Sequence, residues 1–146
     1  MILVSTSFIN CKAEEIDLPE EVQEICIEVG EEFDFCPAML MAIVWQESRG
    51  LLDNATQITY EGWFAEGFEY TGNSDKYDMR NNIRVCAYYM KKWGDEYKDI
   101  NISLTGWTLG IENSLAVDGK SNYATTVIKK SREYERIWNY GRNGSD

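Results

Sequence analysis

The sequence predicts an all-α domain built around one buried helix, and three observations carry that prediction. Apolar residues recur at spacings of three and four in three separate segments: Val22, Ile25, Cys26 and Val29; Ile83, Cys86, Ala87 and Met90; and Ala124, Val127 and Ile128. A fourth segment, Met39-Leu40-Met41-Ala42-Ile43-Val44-Trp45, is apolar on nearly every face, as a helix enclosed by others must be. The chain has 146 residues, 44% of them hydrophobic, which suits a single compact core that needs neither a metal nor a disulfide in order to fold.

Each element has its own signals. Asp17-Leu18-Pro19-Glu20-Glu21 reads as a helix start, with a capping carboxylate, proline in the first turn and acids at the positive end of the dipole. That helix is expected to end between Gly30 and Asp34. The core helix begins at Pro37. From Gly50 to Tyr77 the periodicity vanishes, and Gly62, Gly67 and Gly72 alternate with Trp63, Phe64, Phe68 and Tyr70, so a long irregular segment is expected. Its aromatics suit either the wall of a cleft or a plug beneath a loop. Helix returns at Asp78, with Tyr89 and Trp93 alongside its apolar face, and Gly94 is expected to cap it. Ile100 to Leu109 is β-branched and aromatic, compatible with a strand or a short buried helix. Ser121 or Asn122 caps a last helix that includes Tyr134 and Trp138, before a polar tail from Gly141 to Asp146.

Composition excludes several function classes. Twenty-five Asp and Glu against fourteen Lys and Arg give a formal charge of -11, opposite to what a phosphate backbone attracts, so no nucleic-acid partner is expected. With no histidine, Ser-His-Asp and Cys-His catalysis and HExxH zinc sites are impossible, leaving carboxylates for proton chemistry. Neither a metal nor a cofactor is expected. No apolar run approaches the roughly 18 to 20 residues needed to span a bilayer. Residues 1–13 pair an apolar stretch with the small-x-small step Cys11-x-Ala13 before acidic residues, the pattern of a signal-peptide remnant, which implies export; a disordered or packed terminus is the alternative. If Cys11 leaves with that segment, Cys26, Cys36 and Cys86 remain. Cys86 is then open either to a disulfide with Cys26 or Cys36, or to burial as a thiol.

Glu47 is the leading candidate for chemistry. Leu40, Ile43, Val44 and Glu47 share one helical face, so an ionisable group closes an apolar stripe at the negative end of a helix dipole. Both effects raise a carboxyl pKa, unless Arg49 turns its charge toward it. A glutamic acid held protonated near neutral pH is a suitable general acid for a glycosidic oxygen. A solvated helix end is the alternative.

The segment Cys36-Pro37-Ala38-Met39-Leu40-Met41-Ala42-Ile43-Val44-Trp45-Gln46-Glu47-Ser48 resembles the catalytic helix of soluble lytic transglycosylases, of the lysozyme-like superfamily. Three further matches follow in order. Gln57-Ile58-Thr59 is similar to the end of the family's Gly-Leu-Met-Gln-Ile segment, Asn82-Ile83 with the residues through Met90 to its Asn-Ile helix, and Ser121-Asn122-Tyr123-Ala124 to its late tyrosine motif. The resemblance covers about Glu20 to Arg136 within a domain spanning residues 17–140. It implies a lysozyme-like fold with a long cleft-lining loop and Glu47 as sole acid/base. Ser48, Gln57, Trp107, Thr108 and Tyr123 would surround the substrate, a peptidoglycan glycan strand; the sequence does not fix the oligomeric state, and a monomer is the expectation. The implied products are 1,6-anhydromuramoyl sugars; a lysozyme-type hydrolase would need a second carboxylate from Asp53, Glu61, Glu66 or Glu112. Two segments depart from the pattern. Asn54-Ala55-Thr56 replaces Gly-Leu-Met, and Gly106-Trp107-Thr108 replaces Ala-Tyr-Asn. They leave room for an alternative, a catalytically degenerate peptidoglycan-binding protein.

Overall fold

The computed structural model describes residues 14–50, 53–58 and 64–143. The signal-remnant expectation for residues 1–13, and the expectations for Thr59, Glu61, Gly62, Trp63 and the last three residues of the tail, lie outside the described residues. Within them the fold is all-α: α1 (Glu20–Phe33), α2 (Pro37–Ser48), α3 (Ala65–Thr71), α4 (Met79–Tyr97), α5 (Ile100–Leu109), α6 (Ile111–Ala116) and α7 (Asn122–Asn143), with no strand among the described residues.

Helix α2 is the centre. Ala38, Leu40, Met41, Ala42, Ile43 and Val44 are all buried, because α1, α4 and α7 pack around it. Removing a core leucine such as Leu40 costs about 2–5 kcal/mol in comparable interiors. Gly30 permits the tight turn from α1 into α2: a Cβ there would lie 2.7 Å from both the Phe35 carbonyl oxygen and Pro37 Cγ. Helix α4 offers Ile83, Cys86, Ala87 and Met90 to this core and carries α3 and α5 on its flanks.

Several local expectations are corrected. Asp17 does not cap α1, whose N-cap position is Pro19; its carboxylate instead accepts hydrogen bonds from Tyr134 Oη at 2.6 Å and Lys130 Nζ at 3.0 Å on α7. Helix α4 does not stop at Gly94 but runs one turn further to Tyr97, whose ring packs on the core, and Lys98 supplies the left-handed cap (φ 55°). The segment from Gly50 to Tyr77 is not wholly irregular, since Phe64 and Phe68, one turn apart, anchor the short helix α3. Gly67 belongs to that helix for a packing reason. Its N–H donates to Tyr89 Oη at 2.9 Å, and a Cβ would meet the same ring at 2.7 Å. Residues 100–109, compatible with strand or helix by sequence, are helical, with Asp99 as cap accepting from Asn101 N–H. Ser121 caps α7 through the Ala124 N–H at 3.1 Å, and α7 continues through Gly141 into the expected tail. The separate helix α6 carried no apolar period long enough to predict.

The sulfurs of Cys26, Cys36 and Cys86 are free thiols. Cys26 and Cys86 are buried, and desolvation pushes the Cys26 pKa up to about 12, which makes it inert packing rather than a nucleophile. Cys36 is exposed and donates to Glu135 at 3.2 Å. No helix among the described residues is long and apolar enough to cross a membrane.

Candidate active site

Helix α2 delivers Glu47 to the surface of the core one residue before its end. Arg49 then adopts a left-handed cap (φ 58°), and this turn swings its side chain away from the carboxyl. The guanidinium lies 3.6 Å from the centre of the Trp45 ring and donates to the Trp45 carbonyl at 2.6 Å. The cation that would have held Glu47 ionised is thus engaged elsewhere.

Glu47 is partly buried. Its pKa is raised from the ordinary glutamate value by desolvation, opposed in part by the hydroxyl of Tyr123. Tyr123 comes from the first turn of α7, where the Ser121 cap fixes the helix start. Burial and the nearby Glu47 charge push its own pKa far up. The phenol lies close enough to favour the ionised carboxyl, yet its shielded oxygen closes no hydrogen bond of normal geometry among the described residues. The thiol of Cys86 on α4 is pushed well up by full burial and further by the nearby Glu47 charge.

Glu47 lines a pocket of about 370 Å³ together with Thr56, Gln57, Phe64, Trp107, Thr108, Leu109 and Gly110. Four of the residues singled out by sequence, Glu47, Gln57, Trp107 and Thr108, therefore line one cavity. Trp107 is only 5% exposed and makes a T-shaped contact with Phe64, ring centres 5.2 Å apart, so little of its indole is open to the pocket. Thr108 and Gln57 are exposed.

Ser48 lies elsewhere. It is buried, and its hydroxyl turns inward to the Ala55 carbonyl at 2.8 Å and the Val44 carbonyl at 3.2 Å, so it fastens the end of α2 to the following loop and does not line the pocket. A hydroxyl at the C-terminal turn of a helix finds carbonyls before it finds solvent. Tyr123 stands beside Glu47 but not on the pocket wall.

None of the described carboxylates offered as a second acid lines this pocket. Asp53 is exposed. Glu66 and Glu112 line a neighbouring cavity of about 510 Å³ that meets the first at Gly110, and Glu66 is held by Lys92 Nζ at 2.6 Å and Tyr88 Oη at 2.7 Å. Glu61 lies outside the described residues. Among the described residues, no group of three His, Cys, Asp or Glu side chains is placed to hold a metal ion.

Comparisons with protein-family models, curated proteins and solved structures gave no match. The chemistry of the site therefore rests on its own geometry.

Sequence reasoning missed Thr56, Leu109 and Gly110 as pocket residues. It also missed the buried amide of Asn82, whose oxygen accepts from the Thr56 N–H at 2.9 Å and hydroxyl at 2.5 Å. The signal was present: an asparagine preceding the apolar stripe of α4 must find partners if it is buried.

Proposed function

We propose that this protein is a peptidoglycan lytic transglycosylase, exported to the cell envelope or beyond, with Glu47 as its single acid/base and no cofactor. The observation that carries the reading is a carboxyl held toward its protonated form in a pocket whose described walls contain no other carboxylate. The ordered motif resemblance adds support, and the absence of histidine leaves no better proton donor.

In this reaction Glu47 first gives its proton to the glycosidic oxygen between N-acetylmuramic acid and N-acetylglucosamine, and an oxocarbenium-like transition state develops at the muramoyl C1. The carboxylate so formed then takes the proton of the muramoyl C6 hydroxyl as that oxygen bonds to C1. Glu47 is protonated again, no water is consumed, and the product is a 1,6-anhydro ring. The neighbouring Tyr123 hydroxyl stabilises the intermediate carboxylate. One carboxyl suffices because the nucleophile belongs to the substrate.

The test is digestion of purified cell walls by the wild type and by Glu47→Gln, with mass analysis of the soluble products. Anhydro ends from the wild type and none from the variant are expected; reducing ends, heavier by one water, would make the protein a hydrolase. A second reading, a binding protein that has lost the chemistry, is favoured by the departures at Asn54-Ala55-Thr56 and Gly106-Trp107-Thr108. It predicts cosedimentation with insoluble peptidoglycan and no soluble product from either protein.

A further inference from the structure

We infer that Asn82 is a positioning residue that holds the Thr56–Gln57 wall of the pocket in place against Glu47. The inference rests on the reading of Glu47 as acid/base. It concerns a residue that does not itself reach the pocket.

Asn82 is fully buried on α4, and its amide uses all the bonding capacity an asparagine side chain has. Oδ1 accepts from the Thr56 N–H at 2.9 Å and the Thr56 hydroxyl at 2.5 Å; Nδ2 donates to Asn54 Oδ1 at 2.8 Å and to the Lys76 carbonyl at 2.9 Å. Asn54 then grips Ile58 from both sides, donating to its carbonyl at 2.6 Å and accepting from its N–H at 2.8 Å. Inside this frame both Asn54 and Gln57 have a φ of 57°. A left-handed backbone at a residue other than glycine persists where its surroundings over-determine it, and here two asparagines do so.

The other end of the segment is tied to α2 by Ser48 through the Ala55 carbonyl. The wall that faces Glu47 is therefore pinned at two successive residues, Ala55 to the helix that carries the acid and Thr56 to α4. One turn beyond Asn82 on α4 is Cys86, whose thiol is near enough to Glu47 to feel its charge. The distance from acid to wall is thus set by the end of α2 and one face of α4. Loss of the Asn82 amide frees the wall and admits water to the carboxyl.

The test uses the full chain and four proteins: wild type, Asn82→Ala, Thr56→Val and, as a control, Asn81→Ala. Thr56→Val removes one bond to Asn82 and keeps the shape of the side chain, so it stays informative if Asn82→Ala fails to fold. Asn81 is buried beside Asn82 but bonds the Asn73 and Asp75 carbonyls, away from the pocket. Asn82→Ala and Thr56→Val are expected to lower kcat on purified peptidoglycan about tenfold or more with a smaller change in KM, since misplacement acts on the reacting geometry. The NMR titration of the Glu47 carboxyl, with Tyr123 and Cys86 still facing it, should move down toward the ordinary glutamate value in both. Asn81→Ala should lose stability while keeping kcat and the titration. The inference is overturned if the two clamp variants lose only stability, or if Asn81→Ala loses kcat equally. A wild type that releases no product would refute the enzymatic reading instead, and the Glu47 titration, which needs no turnover, would still decide whether Asn82 holds the wall.

Discussion

Two carboxylates of this chain stand beside tyrosines of the same helix and are driven in opposite directions. Asp17 meets Tyr134, and Glu47 meets Tyr123. At Asp17, burial raises the pKa, but the Tyr134 hydrogen bond and the Lys130 ammonium outweigh it, so the group is held below the ordinary aspartate value. At Glu47, burial also leads, the tyrosine closes no ordinary bond and Arg49 is folded back on Trp45, so the group is held above its ordinary value. A tyrosine next to a carboxyl does not by itself set its charge. The deciding difference is the cation, which makes Asp17 a clasp between the chain entering α1 and α7 and leaves Glu47, which has none, above its ordinary value.

The largest effect expected is that of Glu47→Gln, which should lower release of soluble muropeptides by about a hundredfold or more, the usual weight of a general acid. The fold should survive, and its stability should respond to pH with a definite sign. A carboxyl raised in the folded state adds stability below its ordinary value, about 4.3, and that stability is lost as pH rises through the folded value. The variant should therefore gain on the wild type in thermal melting as pH rises from 4 to 8; no such divergence would make the two carboxylates alike.

Next is Tyr123→Phe. Because the hydroxyl favours the ionised carboxyl, its removal should raise the Glu47 pKa further and move the alkaline limb of kcat/KM upward, with kcat reduced. An unchanged pH profile would show that the tyrosine only packs.

Asp17→Asn sharpens the other side. It should leave activity per folded molecule unchanged and lower stability by about 1 kcal/mol in chemical denaturation, the modest figure reflecting a side chain that is 54% exposed. That stability is present above the ordinary aspartate value and lost as pH falls through the lower folded value, so variant and wild type should converge in strong acid. The smallest effect belongs to Arg84→Ala, which removes a forked pair to Glu32 on the surface and should cost about 0.5 kcal/mol with no change in activity.

Much of this was legible in the sequence because burial leaves a period. The stripe of α4, the apolar run of α2 and the Ser121 cap all follow from local rules, and the position of Glu47 at the end of an apolar face was enough to single it out. What the sequence did not carry were partnerships between distant residues. Asp17 reads as a cap by proximity, but Lys130 and Tyr134, more than a hundred positions away, give it stronger hydrogen bonds. Gly67 reads as a breaker, but the Tyr89 ring requires a residue without a Cβ there. Gly94 reads as a stop, but Tyr97 gains a buried contact by continuing the helix. Within the site, Glu47, Gln57, Trp107 and Thr108, which only the family resemblance had put together, line one pocket. Ser48 turns inward, and Asn82 enters because a buried amide must be satisfied wherever its partners lie.

Carbon-13 NMR titration of the Glu47 carboxyl in the full chain, assigned by comparison with Glu47→Gln, tests the central claim most directly. A midpoint clearly above the ordinary glutamate value is predicted. A midpoint at or below that value would mean that water or a cation reaches the carboxyl, and Glu47 would then be a solvated helix end with no proton to give.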